Sequence, residues 1–215
     1  MLRDPASGET HGVGFELGKE FARRLGVPFE PVVYRRNAEV VEAAKSGQVD
    51  FVFTNATAAR SKDIDFTPPC LEIEAGFLAP QGSAISTAEE VDKPGIRVGV
   101  TEGSTSAAAL PRLFKHAVLV RAPTIDAGIE MLALRKADVF ATNKTNLFEM
   151  SDKLPGSRIL DGRYGVEHIA VGIPKGRDAG MAYARRFVEE VKSEGTVKAA
   201  IEKAGLRGAV ITKSQ

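Results

Sequence analysis

The sequence predicts an α/β fold of two lobes, in which each lobe is a parallel sheet flanked by helices and two strands form a hinge. Helical and strand-like segments alternate twice along the 215 residues, over 13–78 and 84–172, and such alternation is typical of βαβ units. Residues 76–83 (GFLAPQGS) and 169–176 (IAVGIPKG) are alike, each with an apolar strand, a proline and a polar turn. This likeness indicates a pair of hinge strands.

The lobe boundaries follow from the positions of these hinge strands. We expect the chain to leave lobe 1 near residues 76–82 and to return near 169–174. Lobe 1 would then comprise residues 1–78 and 174–215, and lobe 2 would comprise residues 79–173. Two predicted helices at the C-terminus have no sheet of their own, so we expect them to pack on lobe 1.

Lobe 1 begins with a predicted helix, because Leu17, Phe21 and Leu25 recur at helical spacing and Gly26 follows as a stop signal. The two C-terminal helices are predicted in the same way, and the last of them ends at Gly205. The other predicted elements of this lobe are a strand at 29–34 (FEPVVY), a helix at 37–47 (NAEVVEAAKSG) and a buried strand at 49–54 (VDFVFT).

Lobe 2 alternates short apolar strands with helices that have recognisable starts. Ser86 and Glu89 have the spacing of a capping box, and Thr124 precedes an amphipathic helix. A further helix contains Pro111, which either breaks or restarts it. The predicted strands are EAGFLAP (74–80), GIRVGV (95–100), AVLVRAP (117–123), ADVFATN (137–143) and GVEHIAVGIP (165–174).

Composition and charge restrict the classes of partner. The chain is 43% hydrophobic and 27% charged with a formal net charge of +1, so it lacks the clustered basic residues that nucleic-acid binding needs. No apolar stretch reaches the roughly 18 residues of a membrane-spanning helix. Cys70 is the single cysteine, which excludes an intrachain disulfide, and we interpret it as a structural thiol. The histidines lack metal-ligand spacing, so we expect neither a metal nor a cofactor.

Small polar residues follow three of the predicted strands, in TNATAAR (54–60), TEGSTS (101–106) and TNKTN (142–146). In open parallel α/β sheets, ligands bind beyond the carboxyl ends of the strands. Two lobes would bring these loops together across one cleft. The chain has no nucleophile elbow, P-loop or dinucleotide-binding fingerprint, so the pattern favours a binding site over a catalytic one.

The loop TEGSTS has the features of an anion site. Gly103 permits a tight turn, and the N–H groups of Ser104, Thr105 and Ser106 lie at the start of a predicted helix. The positive end of the helix dipole favours negative charge at that point. The alternative is that the hydroxyl groups only cap the helix.

Arg60 ends the loop TNATAAR. A guanidinium group can bind a carboxylate through two parallel hydrogen bonds, and Thr54, Asn55 and Thr57 supply polar groups nearby. A solvated surface arginine is the alternative interpretation. An arginine on one lobe and a helix N-terminus on the other together favour a small anion between them.

Four segments in the same order resemble one family over residues 12–206, nearly the whole chain. The chain resembles the extracellular solute-binding proteins of family 3, which have the type II periplasmic binding fold and serve polar amino-acid ABC importers. The segments are GVGFELGKEFARRLGV (12–27), VVEAAKSGQVDFVFTNATAARSKDIDFTPP (40–69), GIRVGVTEGSTS (95–106) and GTVKAAIEKAGL (195–206).

The resemblance implies a periplasmic receptor that closes around a small anionic ligand, such as an amino acid or another carboxylate, and docks to an ABC permease. Arg60 matches the family arginine that binds the ligand α-carboxylate. The other residues that match family ligand contacts are Thr54, Asn55 and Thr57 in the first lobe, and Ser104 and Thr105 in the second. The first of these loops is about two residues shorter than is usual in the family.

Asn143 departs from the family pattern. It occupies the position of the aspartate that binds the ligand α-ammonium group. An amide binds an ammonium group less well than a carboxylate, because the attraction between two charges is lost. The departure favours a carboxylate without an amine, or a different polar anion, and Lys144 beside it could add positive charge.

The start of the chain is the second departure. Family members begin with a strand that resembles LRVGV, and neither that strand nor a signal peptide is recognisable in this sequence. We interpret this as a shortened start of an exported protein. A lobe 1 that lacks its first strand would expose an unpaired edge, and self-association could cover it.

Two other functions share this fold. One is a lyase that resembles cyclohexadienyl dehydratase, which would need a general acid in the cleft. Glu102, beside the loop TEGSTS, is the candidate acid, although an exposed loop glutamate is the simpler interpretation. The other is the sensor domain of a histidine kinase, which no feature of the sequence supports.

Overall fold

The computed structural model describes residues 2–3, 8–34 and 36–212, which alternate between helices and strands. The strands are β1 (Leu2–Arg3), β2 (Thr10–His11), β3 (Val52–Asn55), β4 (Ile64–Phe66), β5 (Leu71–Ala79), β6 (Arg97–Thr101), β7 (Val118–Ala122), β8 (Val139–Asn143), β9 (Arg158–Ile159), β10 (Gly165–Pro174) and β11 (Ala209–Ile211). The α-helices are α1 (Val13–Leu25), α2 (Asn37–Lys45), α3 (Thr105–Leu113), α4 (Ile125–Ala133), α5 (Lys144–Lys153), α6 (Asp178–Ser193) and α7 (Thr196–Lys203). Short 3₁₀ helices lie at Arg60–Lys62 and Ala88–Glu90.

The chain forms two compact units. Unit 1 comprises the described residues within Met1–Arg35, Glu39–Glu72 and His168–Gln215, and unit 2 comprises Arg36–Ala38 and Ile73–Glu167. The chain therefore passes from unit 1 to unit 2 within β5 and returns within β10. The sequence placed these two crossings after residues 78 and 173, near the ends of the same two strands, and the lobe boundaries stay a prediction.

Unit 1 contains antiparallel pairs around β10, where the sequence predicted parallel pairing. Ile169 of β10 lies opposite Asn55 of β3, and Gly172 lies opposite Phe66 of β4. β3 is the first strand in the order of the larger sheet, and its neighbour among the described strands is β10. The expected absence of a first strand stays a prediction, since β1 pairs only with β2 in the described region.

An aromatic cluster fills the interior of unit 1. Phe21 of α1 contacts the rings of Phe51, Tyr183 and Phe187, with centroids 4.6 to 5.3 Å apart. The ring of Phe29 packs on Phe51 with centroids 6.5 Å apart. These contacts bury the apolar faces of α1 and α6, so the helix predictions from periodicity are confirmed.

The predicted strand at 29–34 is wrong, because residues 28–34 form no strand or helix. Pro31 has no N–H to donate to a neighbouring strand. Phe29 instead packs into the aromatic cluster and lies so close to α1 that a Cβ at Gly18 would be 2.8 Å from its ring. Apolar residues in this segment serve packing rather than sheet formation.

Unit 2 contains the parallel part of the sheet. β6 pairs in parallel with β7 and β8, whereas β5 pairs antiparallel with β8 and β9. Phe77, Val98 and Leu110 belong to a core on one face, with α3, and Phe140 and Leu147 belong to a core on the other face, with α4 and α5. Helices cover both faces of this sheet, which confirms the predicted layer arrangement.

Helix starts in unit 2 differ in detail from the prediction. The capping box is formed by Thr87 and Glu90, one residue after the predicted pair, and it starts only a 3₁₀ helix. Thr124 caps α4, as its Oγ1 accepts a hydrogen bond from the Ala127 N–H at 3.2 Å. Pro111 neither breaks nor restarts α3, which continues to Leu113.

Candidate functional site

Arg60 lies at the centre of a polar cluster in unit 1. It begins the 3₁₀ helix that follows β3, and its Nη1 donates hydrogen bonds to Thr54 Oγ1 at 2.8 Å and to the Asn55 carbonyl oxygen at 3.1 Å. Its backbone N–H donates to Thr57 Oγ1 at 3.2 Å. The structure therefore brings together the four residues that the sequence singled out in this loop.

Asn55 ties this cluster to β10. Its Oδ1 accepts a hydrogen bond from the His168 N–H at 2.8 Å, and the next residue, Ala56, donates its N–H to the His168 carbonyl at 2.8 Å. Thr54 and Asn55 are each 8% exposed. Since the Thr54 hydroxyl and the Asn55 backbone carbonyl hold its Nη1, the guanidinium group of Arg60 is fixed in position rather than freely solvated.

A second polar cluster lies at the N-terminus of α3 in unit 2. Ser104 is the N-cap, and its Oγ accepts a hydrogen bond from the Ala107 N–H at 3.1 Å. The N–H groups of Thr105 and Ser106 have no acceptor within the helix, because they belong to its first turn. The interpretations of this loop as a helix cap and as an anion site are therefore compatible. Ser104 caps the helix, and the N–H groups of Thr105 and Ser106 lie at its positive end.

Glu167 joins this helix terminus to that of α5. Its Oε1 accepts a short hydrogen bond from Thr105 Oγ1, and its Oε2 accepts one from Asn143 Nδ2 at 2.8 Å. Asn143 is the N-cap of α5, and its Oδ1 accepts a hydrogen bond from the Asn146 N–H at 3.0 Å. One carboxylate therefore bridges two residues that the sequence had assigned to the site.

The sequence analysis missed Glu167. The available signal was an acidic residue inside the otherwise apolar strand GVEHIAVGIP. An isolated charge in a predicted buried strand is informative, because burying a charge is costly unless it has partners. The partners, Thr105 and Asn143, lie 62 and 24 residues away in the sequence, so the pairing itself could not be deduced.

The first turn of α3 is also held by a contact with Tyr164. Ser106 Oγ lies 2.6 Å from the hydroxyl oxygen of Tyr164, and Ser106 is 3% exposed. Burial raises the pKa of Tyr164, so its hydroxyl stays protonated. The Tyr164 ring packs on Phe77 with centroids 4.9 Å apart. This contact anchors the helix terminus to the core of unit 2.

Lys144 is paired within unit 2. Its Nζ donates to Glu74 Oε2 at 2.5 Å, and Arg163 Nη1 donates to Glu74 Oε1 at 2.7 Å. The hydrogen bond from Lys144 is the main cause that lowers the pKa of Glu74. The positive charge that Lys144 could add to the site is therefore balanced by Glu74.

The other titratable candidates have structural partners or face solvent. Glu16 forms an ion pair with Lys203 at 2.8 Å, and Asp65 forms one with Lys175 at 3.1 Å. Glu102, the candidate general acid, is exposed. His168 is exposed, and its Nδ1 lies 3.1 Å from Glu72 Oε1.

Cys70 is fully buried in unit 1, in agreement with its interpretation as a structural thiol. Burial raises its pKa to about 12. Its backbone N–H donates to the Ile169 carbonyl at 2.7 Å. Within the described ranges, no three His, Cys, Asp or Glu side chains form a group that could hold a metal ion. In the same ranges, no helix has the length and apolar character needed to cross a bilayer.

Known proteins resemble the chain along most of its length. The sequence pattern of the bacterial extracellular solute-binding proteins, family 3, matches residues 2–206. The ABC transporter glutamine-binding protein GlnH of Bacillus subtilis (strain 168) is 22% identical over 201 residues, which are 90% of this chain and 72% of that protein.

Two solved structures show the likeness in three dimensions. The solute receptor for L-cysteine of Neisseria gonorrhoeae has a TM-score of 0.83 and 23% identity, and the alignment covers 94% of this chain and 85% of that one. The ancestral amino acid-binding protein AncCDT-1, a precursor of cyclohexadienyl dehydratase, has a TM-score of 0.83 and 23% identity, with 94% and 88% covered. These likenesses confirm the predicted fold class, the two-lobed α/β fold of type II periplasmic binding proteins.

Proposed function

We propose, because the chain belongs to family 3 of the bacterial extracellular solute-binding proteins, that it is the receptor of an ABC importer and binds a small solute with a carboxylate group. The observation that carries this proposal is the fixed guanidinium group of Arg60. Buried Thr54 and the Asn55 carbonyl hold its Nη1 at 2.8 and 3.1 Å. A pre-positioned arginine binds a carboxylate with little further loss of side-chain freedom.

Each proposed ligand contact has a distinct role. Arg60 forms charge-assisted hydrogen bonds to the ligand carboxylate. Thr54, Asn55 and Thr57 hold Arg60 in position. The N–H groups at the start of α3, next to Ser104, favour an anionic group through the positive end of the helix.

The relatives extend the proposal to location and partner. Their family is extracellular, and the Bacillus subtilis relative is described as part of an ABC transporter. We therefore propose that this protein works outside the cytoplasmic membrane and delivers its solute to an ABC permease. Glutamine and cysteine are the first ligands to test, because two of the relatives bind them according to their descriptions.

A panel of the twenty L-amino acids and common organic acids tests this function by thermal shift. We expect at least one compound to raise the melting temperature, since a ligand at 100 times its Kd adds about 2.7 kcal/mol to the free energy of unfolding. Arg60→Ala should weaken binding of that compound by a factor of about 10 to 100 in calorimetry, because a charge-assisted hydrogen bond contributes about 1.5–3 kcal/mol.

Arg185→Ala is the matched control, because Arg185 is an exposed arginine of the same unit. It should leave the Kd unchanged. The receptor function would be contradicted if no compound of the panel stabilised the protein. The role of Arg60 would be contradicted if Arg60→Ala and Arg185→Ala had equal affinity for the ligand.

A lyase related to cyclohexadienyl dehydratase is the alternative function. Its support is the likeness to AncCDT-1, which is described as a precursor of that enzyme. Incubation of the protein with prephenate, followed by detection of phenylpyruvate, tests it. Product formation that is lost in Glu102→Gln would favour the lyase with Glu102 as its acid, and absence of product would favour the receptor.

A further inference from the structure

A pocket of about 260 Å³ lies at one edge of the sheet in unit 2. This edge pocket is lined by residues 80 and 82–85, by Ile96, and by residues 135, 137 and 138. Ile96 and Asp138 immediately precede the parallel strands β6 and β8. Since α3 and α5 begin after the opposite ends of these strands, the edge pocket is separate from the candidate contacts at those helix starts.

Arg135, which lines the edge pocket, has a backbone conformation that favours glycine. Its φ is 53°, and no other non-glycine residue of the described ranges has a positive φ. The N–H groups of Arg135 and Lys136 donate to the carbonyl oxygens of Leu132 and Met131 at 3.1 and 2.9 Å, which is a Schellman ending of α4. An arginine here costs stability, and strained residues of this kind cluster at binding and catalytic sites.

Two arginines hold the carbonyl oxygens of the loop that follows β5. Arg135 Nη2 donates to the Gln81 carbonyl at 2.9 Å. Arg158 Nη2 donates to the carbonyls of Ser83 and Ile85 at 2.8 and 2.7 Å. These carbonyl groups are therefore bonded already and offer little to a ligand that carries N–H donors.

The acidic residue of the edge pocket, Asp138, has its charge balanced by Arg97. Its Oδ2 accepts hydrogen bonds from the Arg97 N–H at 2.7 Å and from Nε at 3.1 Å, and its Oδ1 accepts one from Nη2 at 2.8 Å. The side-chain hydrogen bond from Arg97 is the main cause that lowers the pKa of Asp138. Arg135 and Arg158 then leave the surroundings of the pocket with an excess of positive charge.

A cationic group beside an apolar wall suits one class of ligand. The guanidinium group of Arg135 has five N–H donors, and its bond to Gln81 uses one of them. The apolar part of the lining is formed by Pro80, Ile85, Ile96 and Ala137. The volume lies just below the roughly 300–1,000 Å³ of sites for drug-sized ligands, so the ligand is smaller than these.

We propose that the edge pocket is a second binding site, which takes a small organic acid with one carboxylate and a short apolar body. Arg135 forms charge-assisted hydrogen bonds to the carboxylate, and Ile85 and Ile96 contact the apolar body, which is thereby removed from water. The inference is independent of the proposed receptor function, because all the residues that it uses lie in unit 2 and none is a candidate contact of the receptor site.

Titration of the full chain with 4-fluorobenzoate tests the inference, because this probe has one carboxylate and an apolar ring. The amide signals of Gly82, Ala84 and Ile96 should shift and saturate with a Kd of about 1 mM, an affinity within the range for a ligand of about ten atoms. The neutral 4-fluorobenzamide should bind at least about tenfold more weakly, because it lacks the charge that pairs with Arg135. Added salt should weaken binding of the benzoate.

Arg135→Gly separates binding from stability. It should weaken binding of 4-fluorobenzoate by at least about tenfold. It should leave the melting temperature within about 3 °C, because glycine relieves the strain of a positive φ and so offsets the lost bond to Gln81. Arg112→Ala is the matched control, because Arg112 is an exposed arginine of the same unit, and it should keep the wild-type Kd. Arg60→Ala should keep it as well.

Three results would overturn the inference. They are cleft signals at residues 82–85 that do not saturate, equal binding of the benzamide and the benzoate, and a wild-type Kd in Arg135→Gly. Shifts confined to the loop 54–60 would also overturn it, since they would place the probe at Arg60. None of these results bears on the receptor function, whose own test is the panel of solutes with Arg60→Ala.

Discussion

Glu20 is the residue that organises charge on the surface of unit 1. Its carboxylate accepts hydrogen bonds from Arg23 and Arg24, each at 2.7 Å, and Arg24 continues to Glu190 of α6 at 2.8 Å and to Glu194. The hydrogen bonds from Arg23 and Arg24 lower the pKa of Glu20 to about 2. Through Arg24, the ionised carboxylate helps to hold α1 against α6.

The stability of the protein should depend on this carboxylate in acid. Because the pKa of Glu20 falls from 4.5 to about 2 on folding, its contribution is fully present above pH 4.5 and is lost as the pH falls towards 2. Glu20→Gln should lower the free energy of unfolding by about 1 kcal/mol at pH 7, the scale of a partly exposed ion-pair network. Urea unfolding at several pH values measures this change in the free energy of unfolding.

The difference in unfolding free energy between wild type and Glu20→Gln should shrink below pH 4.5 and vanish below pH 2. Glu130→Gln is the matched control, since Glu130 is exposed on α4. A difference that stayed constant with pH would show that the charge of Glu20 is not its source.

At the residue scale, the sequence predicted the polar cluster around Arg60 but not the hydrogen bonds of Glu167. Arg60, Thr54, Asn55 and Thr57 lie within seven positions, so the end of β3 and the loop that follows it bring them together. Glu167 was not predicted, because its two partners are distant in sequence. Local patterns show which side chains are available, but a contact between distant segments depends on the register of the sheet.

At the element scale, two glycines make room for one aromatic ring. A Cβ added at Gly99 of β6 would lie 2.5 Å from Phe140 Cδ2, and one added at Gly128 of α4 would lie 2.6 Å from Phe140 Cζ. Phe140 is fully buried in β8. The ring can lie between α4 and the sheet because both positions lack a side chain.

Two glycine-to-alanine variants in helices should have opposite effects. Gly128→Ala should destabilise the protein by about 1–3 kcal/mol, because the methyl group would overlap the ring of Phe140 in a packed core. Gly180→Ala in α6 should stabilise it by up to about 1 kcal/mol, since the new methyl group would meet its nearest atoms at 3.6 Å. Thermal unfolding of the two variants measures both effects.

Equal changes in the two variants would indicate that helix propensity alone governs both positions. The comparison is balanced because both glycines lie in the first half of an α-helix, and neither requires a positive φ.

Helices with a regular apolar face were predicted from the sequence, whereas α5 (Lys144–Lys153) was not. Periodicity identified α1, α4, α6 and α7, because one apolar face of a helix is visible within a short window. The segment at 29–34 has the composition of a strand but no strand neighbour in the described chain. A strand depends on a partner elsewhere, and Pro31 weakens any such pairing. The antiparallel pairs of β5 and β10 were missed for the same reason.

At the scale of the whole molecule, the two units differ in how the chain builds them. The two hydrophobic clusters of unit 2 consist of residues between 77 and 160, so one continuous segment contains both. Unit 1 combines segments from before and after this stretch. Unit 2 is therefore built almost entirely from one continuous stretch, whereas unit 1 joins segments on either side of that stretch, and contacts between distant parts of the chain slow folding.

Residues 73–167 should fold as an isolated fragment. The expected result is a dispersed amide proton spectrum and cooperative thermal unfolding, because both cores of unit 2 are complete within these residues. A fragment of equal length that ends at residue 120 lacks β8, α4 and α5, and it should remain unfolded. A collapsed spectrum for residues 73–167 would show that unit 2 depends on unit 1.

The buried Cys70 thiol can report how often unit 1 opens. The thiolate is the form that reacts with alkylating reagents, and a pKa of about 12 keeps this thiol protonated inside unit 1. Alkylation can therefore proceed only during moments of local opening. Since the sequence has no second cysteine to compete, the rate of mass increase under a thiol reagent measures how often unit 1 opens, without any introduced label.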